Sequence, residues 1–277
     1  MTTRLLVTGG TGYLGRELMR RTPAVGTWLT REPSAPGHWL RLDVRDSVVV
    51  RRELERLRPA AVIHTAYRQD DRATTLDGAA AVADAAAVVG ARLVHVSSDV
   101  IFDGTKRSPY TEEDPPSPIT DYGRAKADAE RAVRAAHPGA LVVRTSLIYG
   151  GREPGRHERL AWEAAEGRGA MTFFEDELRS PVLVEDLAGA LLELAGRDEA
   201  GILHVAGPDA VSRYEFARLL ARRHDLSDER IPSTRLADSG LVRPANCALD
   251  SSRARALLRT PPRGVLEYVA GTVRRPP

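Results

Sequence analysis

Residues 5–15 read LLVTGGTGYLG, an apolar run of three followed at once by a glycine-rich turn. Leu5-Leu6-Val7 has the character of a short buried strand, and Gly12 to Arg21 that of the helix after it. Strand, glycine turn and helix N-terminus in that order make a dinucleotide site. Gly9 permits the tight turn, Gly12 lets backbone approach a pyrophosphate, and Gly15 lets helix and strand pack closely. The helix start offers free N–H groups and a positive dipole end to phosphates. An ordinary glycine-rich connection is the alternative, so the rest of the chain has to agree.

It continues in strand–helix alternation. Strands are expected at 24–29, 39–42, 61–64, 93–96 and 141–144, and helices at 47–57, 76–89 and about 120–136. Such alternation predicts an α/β fold with a doubly wound parallel sheet. Residues 1–150 are expected to form the dinucleotide domain, with 181–206 rejoining its sheet. Residues 151–180 and 207–277 are expected to form a smaller C-terminal substrate lobe.

Composition narrows the class. The 277 residues are 42% hydrophobic and 28% charged, with a net charge of +2. Basic residues are dispersed among acidic ones, which argues against nucleic acid as a partner. No apolar stretch approaches the ~18 residues of a membrane span. A cytoplasmic protein without a signal peptide is expected. The single cysteine, Cys247, excludes a disulfide framework and reads as small filler. His64, His95 and His204 are scattered along strands without metal-ligand spacing and read as packed imidazoles; no metal is expected.

Tyr122 and Lys126, in DYGRAKADAE, stand four apart on one predicted helix and so share a face. A tyrosine donating a proton near neutral pH is helped by a neighbouring ammonium, which lowers its pKa. Lys126 can also hold a nicotinamide ribose. Ser98 ends a buried strand in VHVSSDVIFDG, where a hydroxyl can bond a carbonyl oxygen that gains charge during hydride transfer. The alternative, a hydroxyl capping its own turn, fits Ser97 better than Ser98.

TGGTGYLG, VIHTAYR, SSDVIFDG, the YTEEDPPSP loop, YGRAK, VVRTSLIYG and RPANCALD occur in this order. Together they resemble the dTDP-4-dehydrorhamnose reductase family of extended short-chain dehydrogenase/reductases, from residue 4 to about 258. The resemblance implies a Rossmann-type NAD(P) domain, a catalytic set at Ser98, Tyr122 and Lys126, and a nucleotide-sugar substrate. It implies cofactor contacts at Gly9, Gly12, Tyr13, Leu14, Gly15, Thr30, Arg31, Asp43, Val44, Thr65, Ala66, Tyr67 and Ser97. Asp99, Phe102, Arg243 and Asn246 become substrate candidates, the last two because a diphosphate needs cationic and amide donors. Leu147 stands where the family often has an aromatic residue. Glu17 matches an acidic position that some members use in a metal-bridged homodimer.

Cofactor preference follows from charge. NAD sites place an acid at the end of the second strand, against the ribose 2′-hydroxyl. Here Trp28-Leu29-Thr30-Arg31 has none, and Arg31 suits the 2′-phosphate of NADP(H). Asp43 reads as a contact to the adenine amine or, equally, as an N-cap for the next helix. The expected activity is NADPH-dependent reduction of a keto group on a nucleotide-linked deoxysugar. The alternatives are an epimerase or dehydratase of the same superfamily, or a non-catalytic regulatory subunit resembling that of methionine adenosyltransferase.

Overall fold

A computed structural model describes residues 5–271. The central sheet has seven strands: β1 (Leu5–Thr8), β2 (Ala24–Trp28), β3 (His38–Arg41), β4 (Ala61–His64), β5 (Arg92–Ser98), β6 (Leu141–Thr145) and β7 (Gly201–His204). Their order is β7-β6-β5-β4-β1-β2-β3, and the pairs from β3 through β2, β1 and β4 to β5 are parallel. The order reverses direction between β1 and β4. In an open α/β sheet that switch point is where a ligand crevice forms.

The longer helices are α1 (Tyr13–Arg21), α2 (Ser47–Leu57), α3 (Gly78–Val89), α4 (Asp121–Ala136), α5 (Arg156–Ala165), α6 (Val184–Ala195) and α7 (Arg213–Arg223), with two of six residues each at Ser252–Leu257 and Val265–Ala270. Leu6, Val62, Leu93 and Val142 bring one side chain from each of β1, β4, β5 and β6 into a core. Val50 and Leu54 of α2, Val82 and Ala86 of α3, and Ala129 and Val133 of α4 close it. Each fully buried leucine or valine contributes about 1.5–3 kcal/mol.

Helix ends follow capping chemistry. Thr120 caps α4 by accepting the Gly123 N–H at 3.1 Å. Gly90, at φ +69°, ends α3 in the left-handed conformation. Asp46 caps α2, accepting the Val49 N–H at 3.0 Å. The capping alternative for Asp43 therefore falls to a residue three positions later. A π-helical turn over Ala73–Asp77, without a sequence signature, leads into α3.

The chain divides into two compact units. The first holds 1–101, 120–144 and 188–203; the second holds 102–119, 145–187 and 204–277. The boundaries drawn from sequence differ from this division in counting 102–119, 145–150, 181–187 and 204–206 with the first unit. Tyr149, Phe173, Val211, Phe216, Leu220 and Val265 form the core of the second unit, with Leu147 packed at its margin. No helix among the described residues is long and apolar enough to cross a membrane.

Candidate active site

The glycine turn is built by close approach. Gly9 has φ +68°, and a Cβ there would lie 2.9 Å from the Ala66 backbone. A Cβ on Gly15 would lie 2.1 Å from the Gly9 carbonyl oxygen, so no larger residue lets α1 meet β1 this way. Gly9 N–H donates to Thr27 Oγ1 at 3.1 Å, and Gly10 N–H to the Thr27 carbonyl at 2.8 Å. Gly12 leads into α1 without a side-chain cap, and the first turn carries no acid. Tyr13 and Leu14 open the helix, at the positive dipole end that a pyrophosphate requires.

Thr30 and Arg31 are exposed just past the end of β2. Asp43 takes a bidentate grip from Arg45, with Nη2 to Oδ2 at 2.7 Å, and this holds its carboxyl below the usual range. Val44 is buried, its side chain where a Cβ on Gly78 would collide with it at 2.6 Å. Thr65 donates its hydroxyl to the Thr8 carbonyl at 2.7 Å, Ala66 is half-buried beside it, and Tyr67 is exposed.

Ser98, Tyr122 and Lys126 all lie in the first unit, Ser98 at the end of β5 and the other two in the first turns of α4. The Tyr67 and Tyr122 rings are 5.8 Å apart, and Lys126 Nζ lies 5.6 Å over the Tyr67 ring. Lys126 is buried, and its ammonium donates to the Val96 carbonyl at 2.7 Å. Burial lowers its pKa to about 8, against the opposing pull of Glu130.

Tyr122 departs from expectation. Burial pushes its phenol well above 10, Tyr67 and Asp99 add to the rise, and a hydrogen bond with Ser98 opposes it. Desolvation dominates, so Tyr122 stands as a protonated phenol and not as a group tuned toward ionisation.

Ser98 both bonds Tyr122 and caps its own turn. Ser98 Oγ donates to Asp99 Oδ1 at 3.2 Å and accepts the Val100 N–H at 3.4 Å, a turn-capping pattern. Ser97 is buried, and its hydroxyl has no protein partner. Asp99 is itself buried beneath Ser98.

The remaining substrate candidates lie in the second unit. Phe102 is fully buried and stacked on Tyr110 at 4.0 Å, so it serves the core. The Asn246 amide donates to the Lys106 carbonyl at 2.8 Å and accepts the Ala248 N–H at 3.0 Å, which commits it to clasping two loops and not to a diphosphate. Arg243 forms a two-point ion pair with buried Glu177, both bonds at 2.8 Å, yet keeps 40% of its side chain exposed. Arg179, fully buried, joins the same carboxylate at 3.0 Å and was missed in the sequence, where nothing marks it. Glu17 is bound by Arg20 and Arg21 on its own helix.

Known proteins with this pattern can now be named. A family model described as the RmlD substrate binding domain matches residues 3–275. A probable dTDP-4,6-dihydroxy-2-methyloxan-3-one 4-ketoreductase of Streptomyces antibioticus is 36% identical over 258 residues, covering 88% of this chain and 81% of the relative. Methionine adenosyltransferase 2 subunit beta of Rattus norvegicus is 31% identical over 283 residues, covering 92% and 82%. Among solved structures, dTDP-4-dehydrorhamnose reductase from Bacillus anthracis in complex with NADP superposes with a TM-score of 0.83 at 24% identity, covering 97% and 98%, a likeness of fold. The chain belongs to the RmlD substrate binding domain family, within the extended short-chain reductases.

Proposed function

We propose that this chain is an NADPH-dependent ketoreductase acting on a nucleotide-linked deoxysugar, with dTDP as the nucleotide. The observation that carries the reading is the convergence of Tyr122 at the start of α4, its hydrogen bond with Ser98 at the end of β5, and a buried Lys126 one helical turn on. The 36% identical relative named as a dTDP-sugar 4-ketoreductase supports the substrate class.

The residues fit NADP(H). Gly9 and Gly15 leave backbone where a Cβ would collide, α1 begins uncapped, and Arg31 stands past β2 where an NAD site would carry an acid. When bound, the dihydronicotinamide supplies a hydride. Ser98 would orient the keto oxygen by hydrogen bonding. Tyr122 would give its proton to that oxygen as negative charge grows there, an exchange favoured because an alkoxide is the stronger base. Lys126 would hold the ribose and stabilise the phenolate left behind. Arg243 is the proposed cationic contact for the diphosphate.

The second reading is a cofactor-binding regulator, favoured by the 31% identity to methionine adenosyltransferase 2 subunit beta of Rattus norvegicus across 92% of the chain. Absorbance of NADPH with a panel of dTDP-4-keto sugars separates the two, alongside calorimetric titration of the NADP-loaded protein with dTDP. Oxidation of NADPH by any of these sugars supports the ketoreductase. Absence of both turnover and dTDP binding leaves the regulator.

A further inference from the structure

On the sheet face covered by α3 and α4, the strands carry an apolar row and then a polar one. Leu6, Val62, Leu93 and Val142 lie in the core. Thr8, His64, His95 and Arg144 follow each of them by two residues, and so point to the same side. Thr8 is the ladder partner of His64, and His64 that of His95. The two imidazoles stack with centroids 5.2 Å apart and planes 19° apart. Thr8 Oγ1 meets His64 Nδ1 at 2.7 Å, and Arg144 pairs with Glu130 at 2.9 Å.

The other polar atoms of this layer are unmatched. His64 Nε2, both ring nitrogens of His95 and Ser97 Oγ are buried and have no partner within the protein. Buried polar groups nearly always find one. A phenyl ring would fill the same space without the desolvation cost. Four such atoms on facing residues of two adjacent strands mark a polar place of the kind whose partners are supplied by internal water. The groups facing Lys126 there are His64 on β4, Tyr67 after it, His95 on β5, and Tyr122 and Glu130 on α4; Arg144 on β6 neutralises Glu130. Burial, then the Lys126 charge, keeps both imidazoles neutral and therefore able to accept as well as donate.

We propose that His64, His95 and Ser97 hold internal water that returns a proton to Lys126 after each turnover, making the histidines positioning residues of the reaction proposed above, on which this inference rests. Reduction of a carbonyl consumes one proton. The Tyr122 O–H bond breaks as the alcohol O–H bond forms. The Lys126 ammonium then gives an N–H proton to the phenolate. Water held by the imidazoles gives a proton to the free amine, and solvent replaces it. No electrons move along this path.

The test uses the full chain. His95→Phe keeps a ring and removes both nitrogens. Its turnover should fall about tenfold, with a larger solvent deuterium isotope effect, while NADPH affinity holds. His95→Asn or His95→Gln should recover most of the loss. Independently of turnover, NMR of 15N-histidine-labelled protein should show His95 ring N–H protons in contact with water. Wild-type turnover and isotope effect in His95→Phe, or a ring without water contact, overturns the proposal. If His95→Phe fails to fold, Ser97→Ala must raise the isotope effect by itself. A wild-type protein that oxidises no NADPH overturns the ketoreductase reading and the relay together. The NMR measurement still reports on the hydrated site, so the two failures are distinguishable.

Discussion

Lys126 Nζ donates to the carbonyl oxygen of Val96 at 2.7 Å, joining α4 to β5 across 30 residues of chain. The bond fixes the ammonium of a side chain only 3% exposed. With burial lowering its pKa to about 8, Lys126 is a buried charge that the fold tolerates for its position.

That tolerance has a pH signature. The unfolded lysine binds its proton up to about 10.4, so between about 8 and that value the unfolded chain holds more protons than the native one. Stability from this site therefore rises with pH across the window and is lowest below it. Against Lys126→Met, which cannot titrate, the wild type should gain on the order of 3 kcal/mol from pH 7 to pH 10.5. Urea midpoints at both pH values measure the gain; an unchanged difference would refute it.

Tyr122→Phe retains the ring and removes the proton donor. Turnover of a keto-sugar should drop by at least about 10², with NADPH affinity little altered. Near-normal turnover in this variant would remove Tyr122 from the acid role.

Arg31→Ala addresses cofactor choice. Loss of a charge-assisted contact to the 2′-phosphate should weaken NADPH binding by about tenfold to a hundredfold and leave NADH binding unchanged. Equal losses for both cofactors would show that Arg31 does not read the phosphate.

Asn246→Ala tests the clasp. It strands the buried Ala248 N–H and the Lys106 carbonyl, which should cost about 1–3 kcal/mol of stability. Thermal denaturation reports the loss. If stability is unchanged while KM for a nucleotide sugar rises, Asn246 belongs to substrate and not to the loops.

Much of the sheet was legible because its signals are local. Hydrophobic runs marked β1, β4, β5 and β6, and the helix at 47–57 was read to the residue. What escaped was set by distance or by a shift of one position. The Asn246 donors find carbonyls 139 and 140 residues away, so its type suggested a ligand contact where the fold supplies a structural one. Ser97 and Ser98 differ by one step on a strand whose faces alternate, and only the fold shows that Ser98 both caps its turn and meets Tyr122 while Ser97 is buried. Asp43 and Asp46 are both credible caps in sequence, and only the N–H of Val49 decides between them. The polar row of Thr8, His64 and His95 needs the strand register before it becomes a row at all.

The division of the chain has a consequence for how such proteins diversify. The backbone passes between the two units five times, after residues 101, 119, 144, 187 and 203. Neither unit is a contiguous cassette, so recombination cannot graft a new second unit at a single junction. During synthesis the sheet stays incomplete until β7, ending at His204, has emerged, and by then the second unit's segments 102–119 and 145–187 already exist while the larger segment from 204 onward is still to come. New specificity in this architecture is expected to accumulate by substitutions within the inserted segments, under the constraint that every intermediate must still close the sheet.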